Sequence, residues 1–160
     1  MDNIPISVLL GLLLLLILLS AFFSASEISM MALNRYRLQH LAENGNRAAR
    51  IVMRLLKRPD RLLGIILLGN NFANILASSV TTVIALRLYG DKAIALAAGL
   101  LTIIILIFGE VAPKTLGVSH PERIALPCAY ILQPLLKALY PLVWFVNIIS
   151  NLILRPFGVT

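Results

Sequence analysis

The sequence predicts an all-α integral membrane protein with three transmembrane helices, cytoplasmic juxtamembrane helices, short broken or re-entrant helices and an interfacial C-terminal helix. Three observations carry that prediction. Of 160 residues, 59% are hydrophobic and 13% charged, and the apolar ones fall in runs too long for a soluble core. Eight of the fourteen Lys and Arg residues (Arg35, Arg37, Arg47, Arg50, Arg54, Lys57, Arg58 and Arg61) lie between the first two apolar runs, the positive-inside pattern of a cytoplasmic connection. Pro127, Pro134 and Pro141 interrupt the last apolar run at intervals of seven, which argues against a straight span there.

Residues 1–33 form the first predicted span. Ile4 to Phe23 is twenty residues without a charge, and at 1.5 Å per residue that is about 30 Å of helix, the thickness of the bilayer's hydrocarbon. Asp2 is the only charge before it, whereas a secretory signal carries positive residues there, so the segment reads as a retained helix. In residues 34–61, Leu38, Leu41 and Ala42, then Ala48, Ile51, Val52, Leu55 and Leu56, follow helical spacing with arginines between them. These are two amphipathic juxtamembrane helices, separated at "ENGN", where Gly45 suits a left-handed helix end.

Pro59 and Asp60 then offer a break before the second span, residues 62–86. After the turn "RLYGDK" the third span covers residues 93–109. Residues 110–139 are expected as broken helices, and residues 140–156 as an interfacial helix anchored by Tyr140, Trp144 and Arg155. A kinked fourth span is the alternative reading of this last run. With the basic segment inside, the N-terminus lies outside a multi-pass chain in the cell membrane. The net charge of +7 reports this topology and contact with anionic headgroups of the lipid bilayer, not nucleic acid. Cys128 stands alone, so there is neither an intrachain disulfide nor a cysteine cluster for zinc.

Polar groups inside apolar helices are costly unless satisfied, and here their spacing is informative. Ser20, Ser24 and Glu27 stand at i, i+4 and i+7 on one face of the first helix, and Asn70 and Asn74 at i and i+4 on one face of the second. After sixteen uncharged residues, Ala93 to Phe108, come Gly109 and then Glu110, in "IFGEVAPKTLG". Pro113 has no N–H to give the Gly109 carbonyl, and Gly109 has no side chain to cover that oxygen. Helical rise puts all three sets in the cytoplasmic half of the membrane. Hydroxyl, amide, carbonyl and carboxylate oxygens suit Mg²⁺, Ca²⁺ or Na⁺ and argue against zinc or copper. An ion site, rather than an enzyme's active site, is the expectation. The competing structural roles are interhelical hydrogen bonds for the serines and asparagines, a pairing of Glu27 with Arg35, and an i,i+4 pair of Glu110 with Lys114. His40 and His120 read as surface residues.

"FFSASEISMMAL" (Phe22 to Leu33), "LLGNNFAN" (Leu67 to Asn74) and "GEVAPK" (Gly109 to Lys114) resemble the three motifs of the transmembrane domain shared by bacterial CorB/CorC proteins and animal cyclin M proteins. The resemblance covers almost the whole chain in order. It implies a homodimer with three transmembrane helices per subunit, acting in Mg²⁺ efflux with Na⁺ as a proposed coupling ion. It also implies that Ser24, Asn70, Asn74, the Gly109 carbonyl and Glu110 surround a largely dehydrated Mg²⁺ in a cavity open to the cytoplasm. Ser20, Ser26 and Glu27 are possible additions, although the animal members do not keep the Ser26 and Glu27 pair. The family continues into nucleotide-sensing CBS modules, which this sequence lacks, so nucleotide would act only through those absent modules. Two other readings stand beside transport: a magnesium-sensing membrane module that regulates another transporter, and a structural anchor.

Overall fold

The computed structural model describes residues 4–158. Helix α1 (Ile6–Ala32) is followed by two short helices, α2 (Arg35–Glu43) and α3 (Arg47–Lys57). Each short helix starts at an asparagine that satisfies otherwise orphaned N–H groups. Asn34 Oδ1 accepts from the Tyr36 and Arg37 amides at 3.0 and 3.3 Å, and Asn46 Oδ1 from Ala49 at 3.1 Å. Gly45 takes the expected left-handed conformation between them, with φ +93°. Arg50 Nε donates to the Ala42 carbonyl at 3.1 Å, so one of the arginines that mark topology also closes the end of α2. The apolar face of α3 is buried, Ile51, Val52, Leu55 and Leu56 included, and it packs against the last long helix, Pro121–Leu154.

Helix α4 (Pro59–Tyr89) runs past both ends of the predicted 62–86 segment. Pro59 explains the early start, because the first turn needs no proline N–H, and Asp60 there complements the helix dipole. The helix lies antiparallel to α1: Arg87 donates to the Ile4 carbonyl at one end, while Ser20 meets Asn70 further along. Gly90, with φ +78°, ends it.

The third long helix corrects the sequence reading. A 3-10 turn (Asp91–Ala93), α5 (Ile94–Ile104), a π-helical segment (Ile105–Val111) and α6 (Ala112–Ser119) follow one another as a continuous 29-residue helix, Asp91–Ser119. The chain does not leave its helical path at Gly109. It widens, so that the Ala112 N–H reaches the Ile107 carbonyl five residues back. Pro113 then sits in the first turn of α6, where its missing N–H is tolerated.

The expected breaks over residues 110–139 reduce to one, at His120, and the separate interfacial helix over residues 140–156 is instead part of α7 (Pro121–Leu154). Pro127, Pro134 and Pro141 lie within α7, and all three are on its exposed side, whereas Ala125, Cys128, Ala129, Leu132 and Val143 are buried. Two turns apart, the prolines share a face. Hydrogen bonds lost on the outer side bend a helix around its core rather than breaking it. By length and composition alone, four helices (Ile6–Ala32, Pro59–Tyr89, Asp91–Ser119 and Pro121–Phe157) are long and apolar enough to cross a membrane, one more than the three predicted.

Helix α1 is the hub, packed by α4, the π segment, α6 and α7. Glycines let three of these contacts close. A Cβ on Gly69 of α4 would stand 2.3 Å from the Phe23 ring, one on Gly109 3.0 Å from Ser20 Oγ, and one on Gly117 of α6 2.5 Å from Ile28 Cγ2 and 3.0 Å from the Ala25 carbonyl oxygen. Because Ala25 O is backbone, it has no rotamer by which to yield. Gly117→Ala is therefore expected to destabilise the protein by about 1–3 kcal/mol, the usual cost of overpacking. A lowered thermal midpoint in detergent checks this, and an unchanged midpoint would show that α1 and α6 can move apart freely.

Candidate functional site

Side chains from three helices meet where α1, α4 and the π segment touch. Ser20 Oγ donates to Asn70 Oδ1 at 2.9 Å, and Asn70 Nδ2 donates to Glu110 Oε1 at 3.3 Å. The other carboxylate oxygen, Oε2, lies 3.3 Å from Lys114 Nζ, one helical turn on. The result is one polar chain, Ser20–Asn70–Glu110–Lys114, crossing an otherwise apolar bundle. Ser20 is fully buried, so its hydroxyl needs a partner, and Asn70 provides one at the antiparallel crossing. Gly109 is buried too, and its missing side chain leaves room for Ser20.

The other predicted site residues divide. Asn74 and Glu110 line a pocket of about 320 Å³ between α4 and α5, together with Ser78, Thr102, Ile105 and Leu106. Asn74 Oδ1 and Ser24 Oγ are buried with no hydrogen-bond partner. Such groups in a packed structure call for an explanation, and an ion or water that they coordinate is one. Ser24 shares the face of Ser20 one turn away, though it makes no hydrogen bond to Asn70 or Glu110. Ser26 turns elsewhere, donating to the carbonyl of Phe22 in its own helix at 2.7 Å. Glu27 is half-buried and, among the described residues, makes no ion pair, with Arg35 or any other cation. His40 and His120 are exposed, as expected.

Sequence reasoning overlooked Ser78 and Thr102. Ser78 stands four residues after Asn74, so it continues the Asn70–Asn74 stripe, and that spacing was the available signal. Thr102 donates its hydroxyl proton to the Ala98 carbonyl at 2.8 Å, which commits the proton and leaves the oxygen lone pairs free. Among the described residues no group of three or more His, Cys, Asp and Glu side chains is placed to hold a metal. A cation here would be held by neutral oxygens and the single carboxylate of Glu110, a donor set for hard cations.

The cyclin M transmembrane N-terminal domain matches this chain over residues 11–160. The chain belongs to that family. Similar relatives within it include the UPF0053 inner membrane protein YfjD of Escherichia coli (strain K12), 49% identical over 88% of this chain and 33% of that protein. A UPF0053 protein of Haemophilus influenzae is 46% identical over 99% of this chain and 38% of its own length. An Escherichia coli (strain K12) protein named polyamine export protein is 32% identical over 89% of this chain and 35% of itself. The chain thus spans about a third of the length of these curated relatives. Its apolar helices and the inner membrane relative agree with a family of membrane proteins.

The Gly109–Ser20 contact is testable by a double-mutant cycle. Gly109→Ala is expected to destabilise the wild-type background by about 1–2 kcal/mol, because the Cβ displaces the buried Ser20 hydroxyl from Asn70. In a Ser20→Ala background the same change should be neutral or stabilising, since the struck atom is gone and alanine favours helix. Thermal melts of the four proteins read the difference; equal effects in both backgrounds would show that Ser20 is not the contact.

Proposed function

We propose that this domain carries Mg²⁺ out across the cell membrane through the Ser20–Asn70–Glu110 site, by alternating access, with Na⁺ as the coupling ion. The observation that carries the reading is the hydrogen-bonded chain that runs from Ser20 through Asn70 to the Glu110 carboxylate, one residue from each of three helices, with Ser24 Oγ, one turn from Ser20, and Asn74 Oδ1, in the pocket that Glu110 lines, both buried and unpartnered. Mg²⁺ takes about six oxygens at 2.0–2.1 Å. Ser24, Asn70, Asn74, the Gly109 carbonyl and Glu110, with Ser20 beside them, offer a set of that order. Asn70 now turns its amide nitrogen to Glu110; rotation of the amide about χ2 presents Oδ1 to an ion instead. A single formal charge at the site suits release, because an excess of carboxylates would hold a dication too tightly to turn over.

The topology proposed is three spans, N-terminus outside, with α7 along the cytoplasmic face. Its support is where α7 is tied. Glu122 pairs with Arg37, while Asn147 donates to the Asp60 carbonyl at 3.3 Å and Tyr140 lies under the Arg61 guanidinium at 4.7 Å. Both ends of that stretch touch the basic segment and its exit into α4. A helix crossing the membrane from Glu122 would carry Asn147 about 37 Å away, to the opposite end of the bundle. A homodimer follows the family pattern, and the many exposed apolar residues of α4 and α5, Phe72, Ile75, Leu96 and Leu100 among them, leave surface for lipid or a second copy.

A second reading has its own observation. The relative named polyamine export protein and the primary ammonium of Lys114 resting on Glu110 support an alkylammonium cargo. Purified protein in liposomes separates the two: Mg²⁺ flux is expected, lost in Glu110→Gln and Asn70→Leu and kept in Asn71→Ala, whose side chain is exposed on another face. Flux of putrescine without Mg²⁺ flux would favour the second reading, and flux of neither would leave a sensing or anchoring module. For topology, Phe157→Cys in a Cys128→Ser background is expected to react with a membrane-impermeant maleimide only from the cytoplasmic side; labelling from outside would establish four spans.

A further inference from the structure

Both carboxylate oxygens of Glu110 are engaged in the structure, Oε1 by Asn70 and Oε2 by Lys114. The Lys114 partner differs in kind. It is a full positive charge, placed where a cargo cation would sit, on a flexible four-carbon stem whose side chain is 43% exposed against 25% for Glu110. An exposed i,i+4 pair contributes little to folding. This pair, however, is joined through Glu110 to the buried Ser20–Asn70 chain.

We propose that Lys114 is a tethered counter-cation of the transport site: its ammonium neutralises Glu110 while no cargo is bound, and an arriving cation must displace it. The proposal rests on the cation-site reading above and adds a residue that sets affinity and selectivity. Two consequences follow from charge alone. With Lys114 in place the empty site is neutral, so the helices can rearrange without carrying an uncompensated carboxylate through a low-dielectric interior, where such a charge is costly. A monovalent ion that displaces the ammonium only replaces like charge with like, whereas a dication brings one charge more. The competition therefore disfavours weakly held monovalent ions.

The experiment measures Mg²⁺ binding to the full chain by titration calorimetry, and Mg²⁺ flux from liposomes, for wild type, Lys114→Met, Lys114→Arg and Glu110→Gln. Lys114→Met removes the charge while keeping most of the stem. It is expected to tighten Mg²⁺ binding about tenfold, within the usual range of coupling between two interacting sites, and to slow flux. Lys114→Arg should restore both toward wild type. Misfolding weakens binding, so tightening is a readout that a merely structural role for Lys114 does not produce. If Lys114→Met binds Mg²⁺ no more tightly than wild type while Glu110→Gln loses binding, the counter-cation is overturned and the cation site stands. If wild type binds no Mg²⁺, both are overturned.

Discussion

The close seating of α1 inside the bundle is the constraint from which the rest follows. Between Ser20 and Met30 this helix is buried by neighbours on several sides, and the glycines at 69, 109 and 117 each meet it where a Cβ would collide. Small residues allow such approach in membranes, where lipid is as apolar as the helix and packing must supply the attraction. Gly117 of α6 answers the "SASEIS" stretch of α1, while Gly109 of the π segment meets Ser20 and Gly69 of α4 makes room for the Phe23 ring. Helices this close put polar side chains within bonding distance of one another.

That closeness makes the polar chain possible. Ser20 and Asn70 are short side chains that bridge at 2.9 Å only because the α1–α4 crossing is tight. Glu110 is longer and reaches Asn70 from the third helix. The π-helical widening between Ile105 and Val111 shifts the register just before Pro113, and it brings Gly109 against α1 and Glu110 beside the α4–α5 pocket at once. Inserted turns of this kind are frequent at functional sites because they re-aim side chains without ending the helix.

At the basic end, the arginines that mark topology also build structure. Arg37 holds Glu122, Arg50 closes α2, and Arg61 covers Tyr140. Helices α2 and α3, the start of α4 and the whole inner face of α7 share one apolar cluster, from Leu38 and Val52 through Ile65 to Leu132 and Val143. A second, smaller cluster around Leu9, Leu16, Ala77 and Val80 holds the far halves of α1 and α4 together. The site lies between a broad, well-buried base and a slimmer far end.

The sequence by itself determined what depends on local chemistry. Long apolar runs marked where α1, α4 and α5 lie, asparagine and Gly45 set the ends of α2 and α3, and helical spacing placed Ser20 with Ser24 and Asn70 with Asn74. The motifs also identified the family. Tertiary structure decided the rest, because it depended on neighbours the sequence does not display. Proline chemistry alone predicted breaks along residues 110–139, yet α7 stays whole because its prolines face outward and its inner face is packed. Spacing could not tell which serine meets Asn70; the α1–α4 crossing chose Ser20, leaving Ser24 unpartnered and Ser26 bonded to its own helix. Only the register of three packed helices could bring Ser20, Asn70 and Glu110, far apart along the chain, to one point.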